Sequence, residues 1–203
     1  MESINSKWGS EESETIDVIN EINYSGKVLN LAAGDGRFNN LLLDYASEVI
    51  AVDNDINELK ILESICPEHL RSKLSLSIID ITKTLPYKES TFDGIFCTGT
   101  LHGFDTETIK KIMLELNRVL KKDGKIVIDF ATDVERVKEN GDLIIYDGEG
   151  LYTTNEALEL FKTFNTLFNF NIKYGKCHEP NLFLNDEKYD FKCNFLLLYG
   201  TKK

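Results

Sequence analysis

Short apolar runs alternate along this chain with longer stretches in which apolar residues recur every three to four positions, a pattern that predicts strands interleaved with helices. Residues 28–31 form an apolar run, followed by the turn Ala33-Gly34-Asp35-Gly36. Phe38, Leu41, Leu42 and Tyr45 then fall at i, i+3, i+4 and i+7 and share one helix face. A second strand is expected over residues 49–52, ending on Asp53. Upstream, Ser10 or Ser13 caps a predicted helix carrying Ile16, Val18, Ile19 and Ile22, which Asn23 and Gly26 end.

Further on, residues 55–65 predict a helix with Ile56, Leu59 and Leu62 inward, flanked by Ile61 and Ile65 and stopped by Pro67. Residues 74–79 read as a third strand ending at Asp80, with Leu74, Leu76 and Ile78 on one face, and residues 92–97 as a fourth. Asp105 or Thr106 can cap a helix running to Leu120 with Ile109, Ile112, Met113 and Leu116 buried, and residues 125–130 make a fifth strand. Beyond Ala131, residues 143–146 and 150–152 suggest a hairpin about Asp147-Gly148. A helix from Thr154 or Asn155 carries Ala157, Leu158, Phe161 and Phe164. Residues 168–174 and 193–199 read as two final strands joined by a long polar and aromatic connection.

Strands alternating with helices define the α/β class and a mostly parallel sheet. At 203 residues the chain can bury the core of a single domain. Its net charge of −11 disfavours phosphate backbones and anionic membranes, so nucleic acid is an unlikely partner. Cys66, Cys97, Cys177 and Cys193 lack metal-ligand spacing, His69 and His178 have no partner pattern, and no metal site is expected. The cysteines read as reduced thiols of a cytoplasmic protein, and no long apolar span or signal-peptide pattern opens the chain.

Gly34 and Gly36 can take positive φ or let a ligand approach the backbone, and the turn feeds a helix start whose free N–H groups favour an anion. Asp53, at the end of the neighbouring strand, is placed to accept from both hydroxyls of a ribose. A dinucleotide fingerprint would need a third glycine where Asn39 stands, and a phosphate-binding P-loop would need Gly-Lys-Ser/Thr where Gly36-Arg37-Phe38 stands. A nicotinamide dinucleotide is therefore the weaker reading, and a nucleoside triphosphatase weaker still.

The arrangement resembles the first two motifs of class I S-adenosylmethionine-dependent methyltransferases. Asn30 stands where that family has an acid and Ala32 where it has its first glycine, while Gly34 and Gly36 match the other two. The later block Asp80…Leu85-Pro86-Tyr87…Phe92-Asp93-Gly94-Ile95 looks like the segment that meets the adenine in small-molecule methyltransferases. The block from Leu116 to Ile126 is similar to the family as well, so the resemblance spans residues 26–130. It implies a Rossmann-like three-layer sandwich, with a mostly parallel seven-stranded sheet and an antiparallel C-terminal strand. It also implies S-adenosyl-L-methionine as cofactor, a small-molecule methyl acceptor, and cofactor contacts from Asn30, Ala32, Gly34, Gly36, Asp53, Asn54, Asp80, Ile81 and Thr98. Asp80 would meet the adenine amino group and Ile81 its ring face, with a loop-capping carboxylate as the alternative for Asp80.

Chemistry is expected in the loop Thr98-Gly99-Thr100-Leu101-His102-Gly103, beyond the carboxyl end of the fourth strand. His102 is either a general base or a structural residue of that loop. No Asn/Asp-Pro-Pro-Tyr tetrad follows the strand, which removes the amine methyltransferases of DNA. Residues 1–25 are expected to form a helical lid or cap on a methyltransferase-like domain of residues 26–203, with Trp8 as an anchor or part of the lid. Tyr146, Tyr152 and Phe183 are candidates for an apolar substrate pocket, on segments 131–153 and 175–191 expected to overhang the site. Protein or RNA methylation, and a non-catalytic nucleoside-binding subunit, stay open beside the small-molecule reading.

Overall fold

The structure is a computed structural model and describes Ser6 and residues 13–145, 149–184 and 187–203. Seven strands are present among them: β1 (Lys27–Leu31), β2 (Glu48–Asp53), β3 (Leu74–Ile78), β4 (Phe92–Cys97), β5 (Leu120–Lys138), β6 (Phe168–Leu184) and β7 (Glu187–Lys202). They form one sheet in the order β3-β2-β1-β4-β5-β7-β6. The first five run parallel to one another, and β7 is antiparallel to both β5 and β6. The class is α/β, and strand order reverses between β1 and β4, where ligands of such sheets bind.

Among the described residues five α-helices cover the sheet: α1 (Ser13–Ile22), α2 (Asn39–Tyr45), α3 (Ile56–Ile65), α4 (Thr106–Val119) and α5 (Thr154–Lys162). Strand alternation divides the core in two. Leu29, Leu31, Ile95, Ile126 and Ile128 pack with Ile109, Ile112 and Met113 of α4 and Ala157 and Phe161 of α5. Val28, Val49, Phe96, Val127 and Leu197 pack on the opposite face with Val18 and Ile19 of α1 and Leu41 and Leu42 of α2. Each such side chain, fully buried, stabilises the fold by roughly 1.5–3 kcal/mol before chain entropy is subtracted. Asn30 shares its strand face with Val28 and so points toward α2.

Side-chain caps start three of the helices. Asp55 accepts from Asn57 N at 2.8 Å, Asp105 from Thr108 N at 2.9 Å, and Thr153 forms a reciprocal capping box with Glu156. The Leu85-Pro86-Tyr87 loop is pinned by Arg118, which donates to the carbonyls of Tyr87 (2.7 Å) and Leu85 (3.0 Å), while Glu115 accepts from Leu85 N. Residues 13–25 lie on the sheet, where Lys125 Nζ donates to the carbonyls closing α1, Ile22 O and Asn23 O.

Several expectations need correction. Ile56 (42% exposed) and Ile61 (44%) face outward because α3 buries only Leu59, Leu62 and Glu58, and Ile78 (61%) sits on an edge strand. Residues 175–184 and 187–191 are not an overhanging connection. They extend β6 and β7, which pair from Phe168↔Lys202 to Leu184↔Glu187, and β5 runs on to Lys138 beside them. Phe183, 68% exposed at the far end of β6, is not among the residues lining the cleft beyond β1, β2 and β4. The described turn after β5 comes earlier than Asp147-Gly148: Lys138 N donates to Asp142 O, Gly141 has φ +89, and Val137 bridges Leu143. Trp8, Ser10, Tyr146 and the Asp147-Gly148 turn lie outside the described residues.

Candidate active site

A cleft of about 390 Å³ opens beyond the carboxyl ends of β1, β2 and β4. Of the residues singled out from the sequence, Asn30, Ala32, Gly34, Asp53, Asn54, Asp80, Ile81 and Thr98 line it, and Gly36 and His102 do not.

The turn after β1 is built on positive φ. Ala32 has φ +53, Gly34 +53 and Gly36 +90, and Ala33 N donates to Val52 O at 2.9 Å. Ala32 thus occupies a left-handed conformation where the resembled family has glycine. Gly36 is turned away from the cleft: a Cβ there would lie 2.6 Å from Leu62 Cγ, so it allows α3 to approach the turn. The helix begins at Asn39, three residues beyond that glycine.

Asp53 ends β2 with both carboxylate oxygens already engaged by backbone. Oδ2 accepts from Gly34 N at 2.9 Å and Oδ1 from Asp55 N at 3.0 Å. Each oxygen keeps a second acceptor position, and two opposed N–H donors hold the carboxylate plane still. Asp80 takes the loop-capping role at the edge of the cleft. Its Oδ1 caps the following loop, accepting from Thr82 N (2.9 Å) and Thr82 Oγ1 (2.6 Å), while the residue also lines the cleft. Those bonds from Thr82 hold its carboxyl below the usual range. Ile81 is 7% exposed, with its side chain in the core beneath the same wall.

Residues missed from sequence complete the cleft. Asp35, Asp55 and Glu58 join Asp53 and Asp80, so five carboxylates line it, and Arg37 adds a guanidinium close to Gly99. Arg37 directly follows the second turn glycine, and that adjacency was the one available signal. Ser6 Oγ donates to Asp35 Oδ1 at 2.8 Å, bringing a residue that precedes α1 to the cleft edge. Gly99 N donates to Asp129 Oδ1 at 2.6 Å and fixes the loop after β4 against β5.

His102 sits in the 3-10 turn Leu101–Gly103, which carries its ring away from the cleft. The ring meets Phe130 edge-on with centroids 6.3 Å apart, and its Nδ1 is buried with no hydrogen-bond partner among the described residues. Burial lowers its pKa to about 4, against a favourable Glu149 charge and with an unfavourable Arg136 charge. Tyr152 lies behind the cleft too, donating to Phe104 O at 2.9 Å and packing its ring on Phe130. Among the described residues no cluster of His, Cys, Asp and Glu is arranged to hold a metal, and no helix is long and apolar enough to cross a membrane.

The sheet order and the glycine turn after β1 define a Rossmann-like fold of the methyltransferase type. Residues 29–128, just under half of the chain, match the family described as "Methyltransferase domain". An uncharacterized methyltransferase of Mycobacterium tuberculosis is 22% identical over 162 residues, covering 78% of this chain and 62% of that protein. The chain thus spans less than two thirds of the length of that curated relative. The YcgJ protein of Bacillus subtilis shares the fold with a TM-score of 0.69 at 15% identity, over 95% of this chain and 99% of that one. DhpI, solved in complex with SAM and HEP, superposes with a TM-score of 0.58 at 14% identity, over 89% and 85% of the two chains.

Proposed function

We propose that this chain transfers a methyl group from S-adenosyl-L-methionine to a small-molecule acceptor. The observation that carries the reading is the charge of the cleft. Five carboxylates and one guanidinium around a nucleoside-sized space favour a cationic ligand and oppose the phosphates of a dinucleotide or triphosphate. In this reading Asp53 receives the two ribose hydroxyls, Asp80 and Ile81 take the adenine, Asn30 accepts from the ammonium group, and Arg37 stands by for the carboxylate. Ala32, Gly34, Asn54 and Thr98 shape the walls. DhpI, which is of the same fold and was solved with SAM, supports the choice of ligand.

The cofactor supplies a methyl group already activated on a sulfonium. What remains for the protein is to hold the acceptor in line and to exclude water, which can supply much of the rate. His102, neutral and outside the cleft, serves in this reading as packing for the loop and not as a base. Thr98, Gly99 and Thr100, fixed through Asp129, form the wall nearest the reacting atoms. The bond from Ser6, which precedes α1, to Asp35 supports a capping role at one cleft edge for the chain ahead of α1. The acid-rich surface supports a metabolite over RNA, and four cysteines outside any disulfide support a reducing, cytoplasmic setting.

The test is calorimetric titration with S-adenosylmethionine, followed by a mass-spectrometric screen of metabolite acceptors for methylated product. Binding with product formation is the expected result. No binding at millimolar cofactor overturns the reading, and binding without turnover across the screen favours a nucleoside-binding subunit.

A further inference from the structure

Asn39 occupies the place where a dinucleotide turn has its third glycine, and it is 1% exposed at the start of α2. Its Oδ1 accepts a hydrogen bond from Nδ2 of Asn30, at 3.2 Å, and Asn30 is itself only 4% exposed on β1. Among the described residues Asn39 Nδ2 has no partner, so this contact is the single side-chain hydrogen bond that the amide of Asn39 makes. The two residues are nine apart in sequence and join the strand to the helix across the interior of the turn.

A carboxylate presents an acceptor at either end, and its orientation about the last side-chain bond is immaterial. An amide is different, because one end accepts and the other only donates. Asn30 lines the cleft at the position where the related family carries an acid. If its NH2 faced the cleft, a cationic group there would meet two donors. With Nδ2 committed to Asn39, the Oδ1 end is the one left for a ligand.

We propose that Asn39 is a positioning residue that holds the Asn30 amide with its carbonyl oxygen toward the cleft, so that the neutral side chain can receive the ammonium end of the cofactor. The inference rests on the cofactor reading above. It assigns to the Asn30/Asn39 pair the work that one acid does in the related family. It also accounts for a buried asparagine where close helix packing would favour a small residue.

Binding of two ligands tests it: S-adenosylmethionine and 5′-methylthioadenosine, which carries the same nucleoside but a neutral thioether in place of the sulfonium and no amino-acid group. Asn39→Leu keeps the volume but cannot accept a hydrogen bond. It should weaken S-adenosylmethionine roughly tenfold to a hundredfold and leave methylthioadenosine within about twofold, the loss of one hydrogen bond to a charged group being worth about that much. Asn39→Asp can only accept, so it keeps Asn30 Nδ2 in place and should retain S-adenosylmethionine affinity within about threefold. In an Asn30→Ala background, Asn39→Leu should add nothing to the loss already incurred.

Equal weakening of both ligands by Asn39→Leu would mean a structural role only and overturns the inference, as does unchanged affinity for S-adenosylmethionine. Should Asn39→Leu fail to fold by circular dichroism, Asn39→Asp decides: selective loss of S-adenosylmethionine there overturns the inference, and retention upholds it. If the unaltered protein binds methylthioadenosine as tightly as S-adenosylmethionine, this inference falls while the nucleoside site stands. If it binds neither, the cofactor reading falls and takes the inference with it.

Discussion

The carboxylate of Asp53 accepts the backbone N–H of Gly34 at 2.9 Å, so the turn after β1 and the end of β2 are one hydrogen-bonded unit. Asp53→Ala therefore removes a ligand contact and an internal brace together. The substitution should weaken S-adenosylmethionine by roughly 1.5–3 kcal/mol if both ribose hydroxyls bond to the carboxylate. Asp53→Asn keeps one acceptor oxygen and should lose less. Calorimetry on the two variants checks the order, and equal affinity in all three proteins would place the nucleoside elsewhere.

Two neighbouring turn positions should respond in opposite senses. Ala32 holds φ +53, so Ala32→Gly relieves left-handed strain and should stabilise the fold by about 0.5–1 kcal/mol after the extra freedom of the unfolded chain is subtracted. Gly36→Ala puts a methyl group 2.6 Å from Leu62 Cγ at φ +90 and should cost about 2–4 kcal/mol. Urea denaturation measures both. Because Gly36 does not line the cleft, whatever fraction of that variant stays folded should bind nucleoside normally.

These glycines show what the sequence could and could not disclose. The Gly34-Asp35-Gly36 pattern marked a turn, but spacing cannot say which glycine lines the cleft and which faces a helix. The β-α alternation up to residue 130 was legible because strands of a parallel sheet are separated by helices with their own period. Past that point β5, β6 and β7 outrun their apolar segments. Residues such as Lys176, Glu179 and Lys188 look like loop, and only pairing across the sheet makes them strand. The places of Arg37, Glu58 and Asn39 in the site were not legible for another reason: they depend on which strand end each residue meets, and that is a long-range property.

His102 gives a pH prediction. Its pKa is lowered to about 4 by burial, so between that pH and about 6.5 the unfolded chain binds a proton that the folded chain does not. Its contribution is fully present above pH 6.5 and is lost as pH falls toward 4, by up to roughly 3 kcal/mol. His102→Gln should flatten the slope of stability against pH in that window, seen by comparing urea midpoints of the two proteins. The same variant should leave the shape of the pH–rate profile unchanged, whereas loss of a limb near neutrality would restore the histidine as a base.

Arg136 and Glu149 form a two-pronged ion pair, 2.8 and 2.6 Å, with side chains only 10% and 9% exposed. Arg136→Met alone strands a buried carboxylate and should destabilise by about 3–5 kcal/mol. The double change Arg136→Met with Glu149→Leu should recover most of that loss. A double-mutant cycle in urea gives the coupling energy, and additive single and double effects would show that the pair does not act as a unit.

β5 forms one wall of the sheet beside the cleft, and its second neighbour is β7, whose residues 187–202 are made long after it. On the ribosome, then, residues 27–138 emerge with that flank of β5 bare, and Lys202 cannot yet donate to the carbonyls of Asn117 and Leu120. The nascent chain has to wait for its last strand to slot between two older ones before the sheet closes, a long-range step that should set the pace of folding in the cell.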